Sequence, residues 1–163
     1  ICSTRIQTGH GLPGLHTIFE CAKTEHNVAI IADGGIRTSG DMVKALAAGA
    51  DFVMVGSMLA GTIETPGQVI HSASGNSHKV YRGMASKDAQ MDWRGRASSN
   101  EGVSTTVPIC GHVSDKLGDI ENGIRSGLSY SGARNIRELQ AKAGFVRQTS
   151  ASATESSTHI FLK

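Results

Sequence analysis

Apolar and polar positions along the chain fall into alternating helical and strand-like blocks. In LPGLHTIFECAKTEH (12–26), Leu15, Ile18, Phe19 and Ala22 recur at i, i+3, i+4 and i+7, one face of a helix. NVAIIADGG (27–35) follows, a β-branched run closed by glycines, and a run with no polar alternation fits a parallel strand covered on both faces. TSGDMVKALAAGA (38–50) returns to helical spacing, with Thr38 or Ser39 as cap, Asp41 at the positive end and Gly49 as the stop. DFVMVGSML (51–59) is a second strand of the buried type, again running into Gly-Ser. This helix–strand–helix–strand order predicts an α/β fold with parallel strands that end in small polar residues.

Residues 62–113 break the rhythm. HSASGNSHK (71–79) is a turn-rich hairpin candidate between GQVI and KVYRG, and KDAQMDWRGRASSNEG (87–102) lacks clear periodicity and reads as a mobile flap. Helical spacing resumes in SDKLGDIENGIRSGLSY (114–130), with Leu117, Ile120, Ile124 and Leu128 on one stripe and Ser114 as cap. NIRELQAKAG (135–144) carries Asn135 and Glu138 at capping-box spacing and Gly144 as the stop. FVRQT (145–149) is expected to form a short strand, and residues 150–163 a polar, flexible tail.

Composition narrows the function. Hydrophobic residues make up 39% and charged residues 18%, enough apolar content for one domain's core, and at 4% aromatics that core must rest on Ala, Val, Ile, Leu and Met. The net charge of +2 is spread without a basic run, which argues against nucleic acid as a partner. No apolar stretch approaches the ~20 residues of a membrane helix, so no membrane partner is expected. Three widely spaced cysteines, Cys2, Cys21 and Cys110, make no disulfide framework and no Cys-x-x-Cys pair, so a reducing, cytoplasmic setting is expected. Cys21, on the apolar helix face, and Cys110 read as structural, and the seven histidines lack zinc spacing and read as surface or satisfied groups.

The strand ends carry the first chemical signal. In parallel α/β folds, ligands bind beyond the carboxyl ends of the strands, and glycines let backbone N–H groups approach phosphate oxygens. A carboxylate repels phosphate but accepts hydrogen bonds from ribose hydroxyls. Asp33, Gly34 and Gly35, followed one unit later by Gly56 and Ser57, therefore suggest a nucleoside monophosphate. Tight turns alone are the alternative for these glycines.

IIADGGIRTSGDMVKALAAGADFVMVGSMLAG, then YRGMAS, then GIRSGLSYSGA, beside CST near position 1, resemble the IMP dehydrogenase/GMP reductase family, in family order from Cys2 to about Thr149. The resemblance implies a (β/α)8 TIM barrel, which needs ~250 residues. Residues 1–149 would supply its C-terminal portion, with a flap insertion at about 62–113 and closing helices, followed by the polar tail at 150–163. Position 1 would then fall at the catalytic cysteine loop after strand six. The chain is thus expected to be one piece of a proteolysed or split enzyme, partnered by the N-terminal part of the same barrel.

The resemblance also assigns roles. Cys2 matches the cysteine whose thiolate adds to C2 of the purine. Thr4 and Glu101 match the hydroxyl and carboxylate that relay a proton to departing ammonia in the reductase branch. Tyr81, Gly83, Met84, Ala85 and Gly102 join Asp33, Gly34, Gly35, Gly56 and Ser57 on the GMP/IMP nucleotide. Met84, Arg96, Ser126, Gly127, Leu128, Ser129 and Tyr130 fall near the dinucleotide, NADPH in the reductase, although a packed helical Tyr130 fits the residues equally well. A potassium ion on backbone carbonyls near Cys2 and Arg5, and a homotetramer, are implied as well. Glu155 and Ser156 loosely match a dehydrogenase tail that completes the potassium site of a neighbouring subunit.

The two branches of the family differ after the covalent step. The dehydrogenase, which uses NAD, hydrolyses its intermediate with water activated by an Arg-Tyr pair on a long flap. The segment from YRGM to NEG is short and lacks that pair, and RASSNEG (96–102) resembles the reductase's RASEG with two residues inserted. The expected function is therefore GMP reductase, with IMP dehydrogenase and a non-catalytic nucleotide-binding barrel as alternatives.

Overall fold

The computed structural model describes residues 2–72, 75–98 and 101–158. The tip of the expected hairpin, the middle of RASSNEG and the last five positions of the expected tail lie outside them. In chain order the elements are α1 (Thr4–Thr8), α2 (Gly14–Cys21), β1 (Ile31–Asp33), α3 (Ser39–Ala47), β2 (Phe52–Met54), α4 (Ser57–Ala60), β3 (Val69–His71), β4 (Ser77–Arg82), α5 (Lys87–Arg94), β5 (Ser104–Pro108), α6 (Val113–Tyr130), α7 (Ile136–Lys142) and α8 (Ser150–Glu155).

β1 and β2 pair in parallel, with Ile31 opposite Phe52 and Asp33 opposite Met54, and α3 makes the crossover between them. Thr38 caps α3 in a reciprocal box: its hydroxyl accepts from the Asp41 amide at 3.1 Å, and the Asp41 carboxylate accepts from the Thr38 amide at 3.1 Å. Such a cap contributes about 1 kcal/mol. Gly49 ends the unit with φ +117°, and a Cβ there would stand 2.5 Å from that of Ala22, so close packing on α2 and the backbone both require glycine.

The core lies on one side of this sheet. Ala32, Met42, Ala45 and Ala50 are buried against Ile18, Val53, Ile120 and Ile124, and a second cluster joins Leu46, Ala133 and Leu139 to Val43, Leu128 and Ile136. Small residues let the helices approach. A Cβ at Gly123 would sit 2.2 Å from the Ser39 hydroxyl, and one at Gly127 would sit 2.6 Å from a Val43 methyl, so α6 lies directly on α3.

Among the described residues nothing covers the opposite face of the same sheet. Ile31, Phe52 and Met54, which point away from the helices, are 54%, 60% and 52% exposed. The strands carry the composition of a doubly covered sheet, and the described residues cover one side. Among the described residues the two paired strands also leave two open edges.

β3, β4 and β5 form a separate antiparallel sheet in that order. The hairpin is as expected, and β5 is an addition to it. Five other expectations need correction. The segment after Cys2 is the short helix α1 rather than a loop. Residues 87–94 are helical, because the Ser86 hydroxyl accepts from the Ala89 amide at 3.3 Å and Gly95 closes the end with φ +67°. α6 begins at Val113 with His112, not Ser114, at its cap, and Glu64 reaches across to accept from the Val113 amide at 2.9 Å. Residues 145–149 form no strand. The start of the expected tail is α8, which Thr149 caps through the Ser152 amide at 3.2 Å.

Candidate active site

Cys2, Thr4 and Glu101 meet, although 97 residues separate the last two. The Cys2 sulfur lies 2.7 Å from the Thr4 hydroxyl and accepts from the Thr4 amide at 3.3 Å, and the hydroxyl donates to Glu101 Oε2 at 2.5 Å. Hydrogen bonding from the Thr4 hydroxyl, and after it from the Thr4 amide, holds the Cys2 thiol below its ordinary pKa, while the slight burial and the Glu101 charge act the other way. The hydroxyl has one proton and two acceptors. When it points to Glu101, the thiol can donate to the hydroxyl oxygen; when it points to sulfur, it stabilises the thiolate. The arrangement can pass a proton between sulfur and carboxylate without moving heavy atoms.

The backbone around this trio is pinned by Ser3 and Gln90, which sequence reasoning missed, and by Gly83, Ala85 and Gly102, which it expected on the nucleotide. Ser3 donates from its amide at 2.6 Å and its hydroxyl at 2.8 Å to the Glu101 carbonyl. Cys2 and Gly102 form an antiparallel bridge, and the Gly102 amide donates to the Ala85 carbonyl at 3.2 Å. A Cβ at Gly102 would stand 1.9 Å from the Ser86 nitrogen, so only glycine lets the 83–86 loop close on the cysteine loop. The Gly83 amide donates to Val103 at 3.0 Å on the other side. Buried Gln90 braces the loop, donating to the Ala85 carbonyl at 2.8 Å and accepting from the Ser98 amide at 2.8 Å. The cap at Ser86 was the readable signal for the helix that places Gln90.

Cys2 and Arg5 share the wall of an open cleft of about 900 Å³ with Asp33, Gly34 and Gly35. Gly34 and Gly35 have φ of +90° and +75°, and nothing lies within 4 Å of where their side chains would be. Their backbone therefore faces open space at the carboxyl end of β1. Cys21 lines the same cleft, and Cys21 and Cys110, read as structural, are both exposed among the described residues.

The other expected residues fall into three groups. Gly56 and Ser57 open α4 at the end of β2, where a Cβ on Gly56 would be 2.6 Å from the Tyr81 hydroxyl oxygen, so tyrosine and glycine are in direct contact. Exposed Met84 and Ala85 line a hollow of about 280 Å³ with Trp93 and Arg94, whose guanidinium lies 4.2 Å over the Trp93 ring; Arg96 lies exposed beyond α5. On α6, Ser126 and Ser129 are exposed, and Tyr130 is 95% exposed and does not pack against the described residues. Gly127 abuts Val43, and the Leu128 side chain packs into the core, so both hold the helix in place and Leu128 offers no side chain to a ligand. Among the described residues no cluster of His, Cys, Asp or Glu could hold a metal, and no helix is long and apolar enough to cross a membrane.

A helix-covered parallel sheet with glycine turns at its carboxyl end, and a thiol on the same cleft, fit one part of an α/β fold of the (β/α) barrel type. Comparison with known proteins makes this specific. The IMP dehydrogenase/GMP reductase domain matches residues 1–159, and the chain belongs to that family. It is 46% identical to an inosine-5'-monophosphate dehydrogenase of Nitrosopumilus maritimus, covering 99% of this chain and 37% of that protein. It is 42% identical to a GMP reductase of Leishmania major, covering 100% and 35%. Among solved structures, a cysteine-to-alanine GMP reductase from Trypanosoma brucei in complex with guanosine 5'-monophosphate superposes with a TM-score of 0.92 at 42% identity, covering 99% of this chain and 35% of that one. The fold is accordingly the C-terminal portion of a (β/α)8 barrel, and the chain spans about a third of the length of these relatives.

Proposed function

We propose that the chain forms the C-terminal part of an NADPH-dependent GMP reductase, which converts GMP to IMP and ammonia. The Thr4 hydroxyl held between the Cys2 sulfur and the Glu101 carboxylate supports covalent purine chemistry, and the lack of an Arg-Tyr pair in the flap sequence carries the choice of reductase over dehydrogenase. The Cys2 thiolate adds to C2 of the guanine ring. Glu101 takes up the thiol proton through Thr4 and returns a proton through the same hydroxyl to the amino group, which leaves as ammonia and keeps C2 bonded to sulfur. NADPH, when bound, would supply the hydride that C2 carries in IMP. The carbon–sulfur bond then breaks and the electron pair returns to Cys2. Water must be kept out meanwhile, and the flap contains no Arg-Tyr pair to activate it.

GMP would sit in the cleft with its phosphate toward the Gly34–Gly35 backbone, Gly56, Ser57 and Tyr81. Asp33 would accept from ribose hydroxyls, and the 83–85 loop would border the base. Exposed Met84, Arg96, Ser126, Ser129 and Tyr130 fit a dinucleotide, with the Tyr130 ring free to stack. The Arg5 carbonyl accepts from the Gly9 amide at 3.1 Å and keeps a second lone pair, which fits a potassium ion held by carbonyls there. The uncovered face of Ile31, Phe52 and Met54 would pack against the remaining barrel strands, and the assembled enzyme would be a cytoplasmic homotetramer.

A second reading, IMP dehydrogenase, is favoured by relatives of that name, including one from Aquifex aeolicus at 49% identity. Absorbance of the nicotinamide band decides between them. The complete enzyme bearing this chain should consume NADPH with GMP. Production of NADH from IMP and NAD, with no turnover of GMP, would reject the first reading.

A further inference from the structure

Lys79 stands at the centre of β4 and is 4% exposed, with no carboxylate partner among the described residues. Its ammonium donates to three backbone carbonyls: Thr62 at 2.6 Å, Ile63 at 2.8 Å and Thr65 at 2.5 Å. Three donors meet three acceptors, so a buried charge is fully hydrogen-bonded without a counter-ion. The acceptor turn is itself fixed, because the Thr62 and Thr65 hydroxyls both donate to the Leu59 carbonyl, at 2.9 and 2.6 Å. These carbonyls follow directly after α4.

Side chains two apart on a strand project to the same face. Tyr81 therefore leaves β4 on the side of Lys79, and its hydroxyl meets Gly56 directly before α4. One strand thus grips the four-residue helix from both ends, with an ammonium behind it and a phenol in front. Resting on the phosphate placement given above, we infer that Lys79 is a positioning residue for the nucleotide phosphate. It acts as a tethered cation that fixes the 59–65 turn and, through β4, holds Tyr81 against the Gly56–Ser57 backbone.

Lys79→Ala removes the equivalent of n-propylammonium and leaves the carbonyl cage open, so that cation is the probe. In the complete enzyme, Lys79→Ala should raise the KM for GMP roughly tenfold or more, since misplacement by ~1 Å is costly, while the alkylation rate of Cys2 stays as in the parent. Guanosine, which has no phosphate, should bind both proteins alike. Millimolar n-propylammonium should raise the melting temperature of Lys79→Ala but not of the parent, and should restore the KM in part. Lys79→Met, which fills the channel without charge, should show the KM defect and no response to the amine. An unchanged KM in Lys79→Ala, or equal weakening of guanosine and GMP, would overturn the positioning role. If the parent binds no GMP, the phosphate reading fails on its own account, whereas absence of a melting response to the amine rejects the cation cage independently.

Discussion

Thr4 and Glu101 share a 2.5 Å hydrogen bond across 97 residues of sequence, and the same hydroxyl lies 2.7 Å from the Cys2 sulfur. The segment at Cys2 and the residues around Glu101 are therefore one hydrogen-bonded unit, and it can be probed with two substitutions whose effects have opposite signs.

Thr4→Val removes the main group that lowers the Cys2 pKa. A lowered thiol pKa means more thiolate near neutrality. The substitution should shift the pH profile of Cys2 alkylation by iodoacetamide to higher pH and slow the reaction at pH 7. An unshifted profile would show that the hydroxyl does not act on the sulfur.

Glu101→Gln removes a negative charge that raises the Cys2 pKa. The alkylation profile should move to lower pH, opposite to Thr4→Val, while turnover falls by ~10²–10⁴ through loss of the proton acceptor. A profile moving upward would contradict the electrostatics. Full activity with the expected shift would remove Glu101 from the proton path.

Two glycine substitutions should also diverge. Gly102→Ala would place a carbon 1.9 Å from the Ser86 backbone nitrogen and must push the 83–86 loop away from the cysteine, so it should destabilise by ~1–3 kcal/mol and abolish most activity. Gly118, inside α6, has open space where its Cβ would be. Gly118→Ala should stabilise by roughly 0.5–1 kcal/mol through helix propensity alone. Urea unfolding of the complete enzyme measures both, and equal effects would refute the packing described at Gly102.

Asp33→Ala should weaken GMP roughly tenfold if the carboxylate accepts from the ribose, since hydrogen bonds to charged groups are worth ~1.5–3 kcal/mol. A 2',3'-dideoxy nucleotide should bind parent and variant alike by calorimetry. Equal loss for both ligands would place Asp33 elsewhere.

Legibility in the sequence followed the range of the forces involved. Thr38 with Asp41, and Asn135 with Glu138, are caps written within four residues, and both form. The parallel pair and the hairpin followed from apolar runs and glycine punctuation. The cap of α6 did not, because Glu64, which binds the Val113 amide, is remote in sequence. α5 was missed because its packing depends on buried Gln90 and Ala89, which make no apolar stripe. Family resemblance brought Cys2, Thr4 and Glu101 into one reading, but nothing local revealed that Ser3 would fasten the Glu101 carbonyl. Cys21 looked structural from its place in the helical pattern and proved to be exposed on the cleft, because the described residues leave that flank open.

Ala85 and Gly102 are bonded to each other, and Gly102 is bridged in turn to Cys2. Ala85 and Gly102 thus form a closed neck from which α5 extends. Insertions between them change the closure entropy only slowly with length and leave the neck where it is. Such a neck lets the segment beyond it change in length or sequence while the sulfur keeps its address.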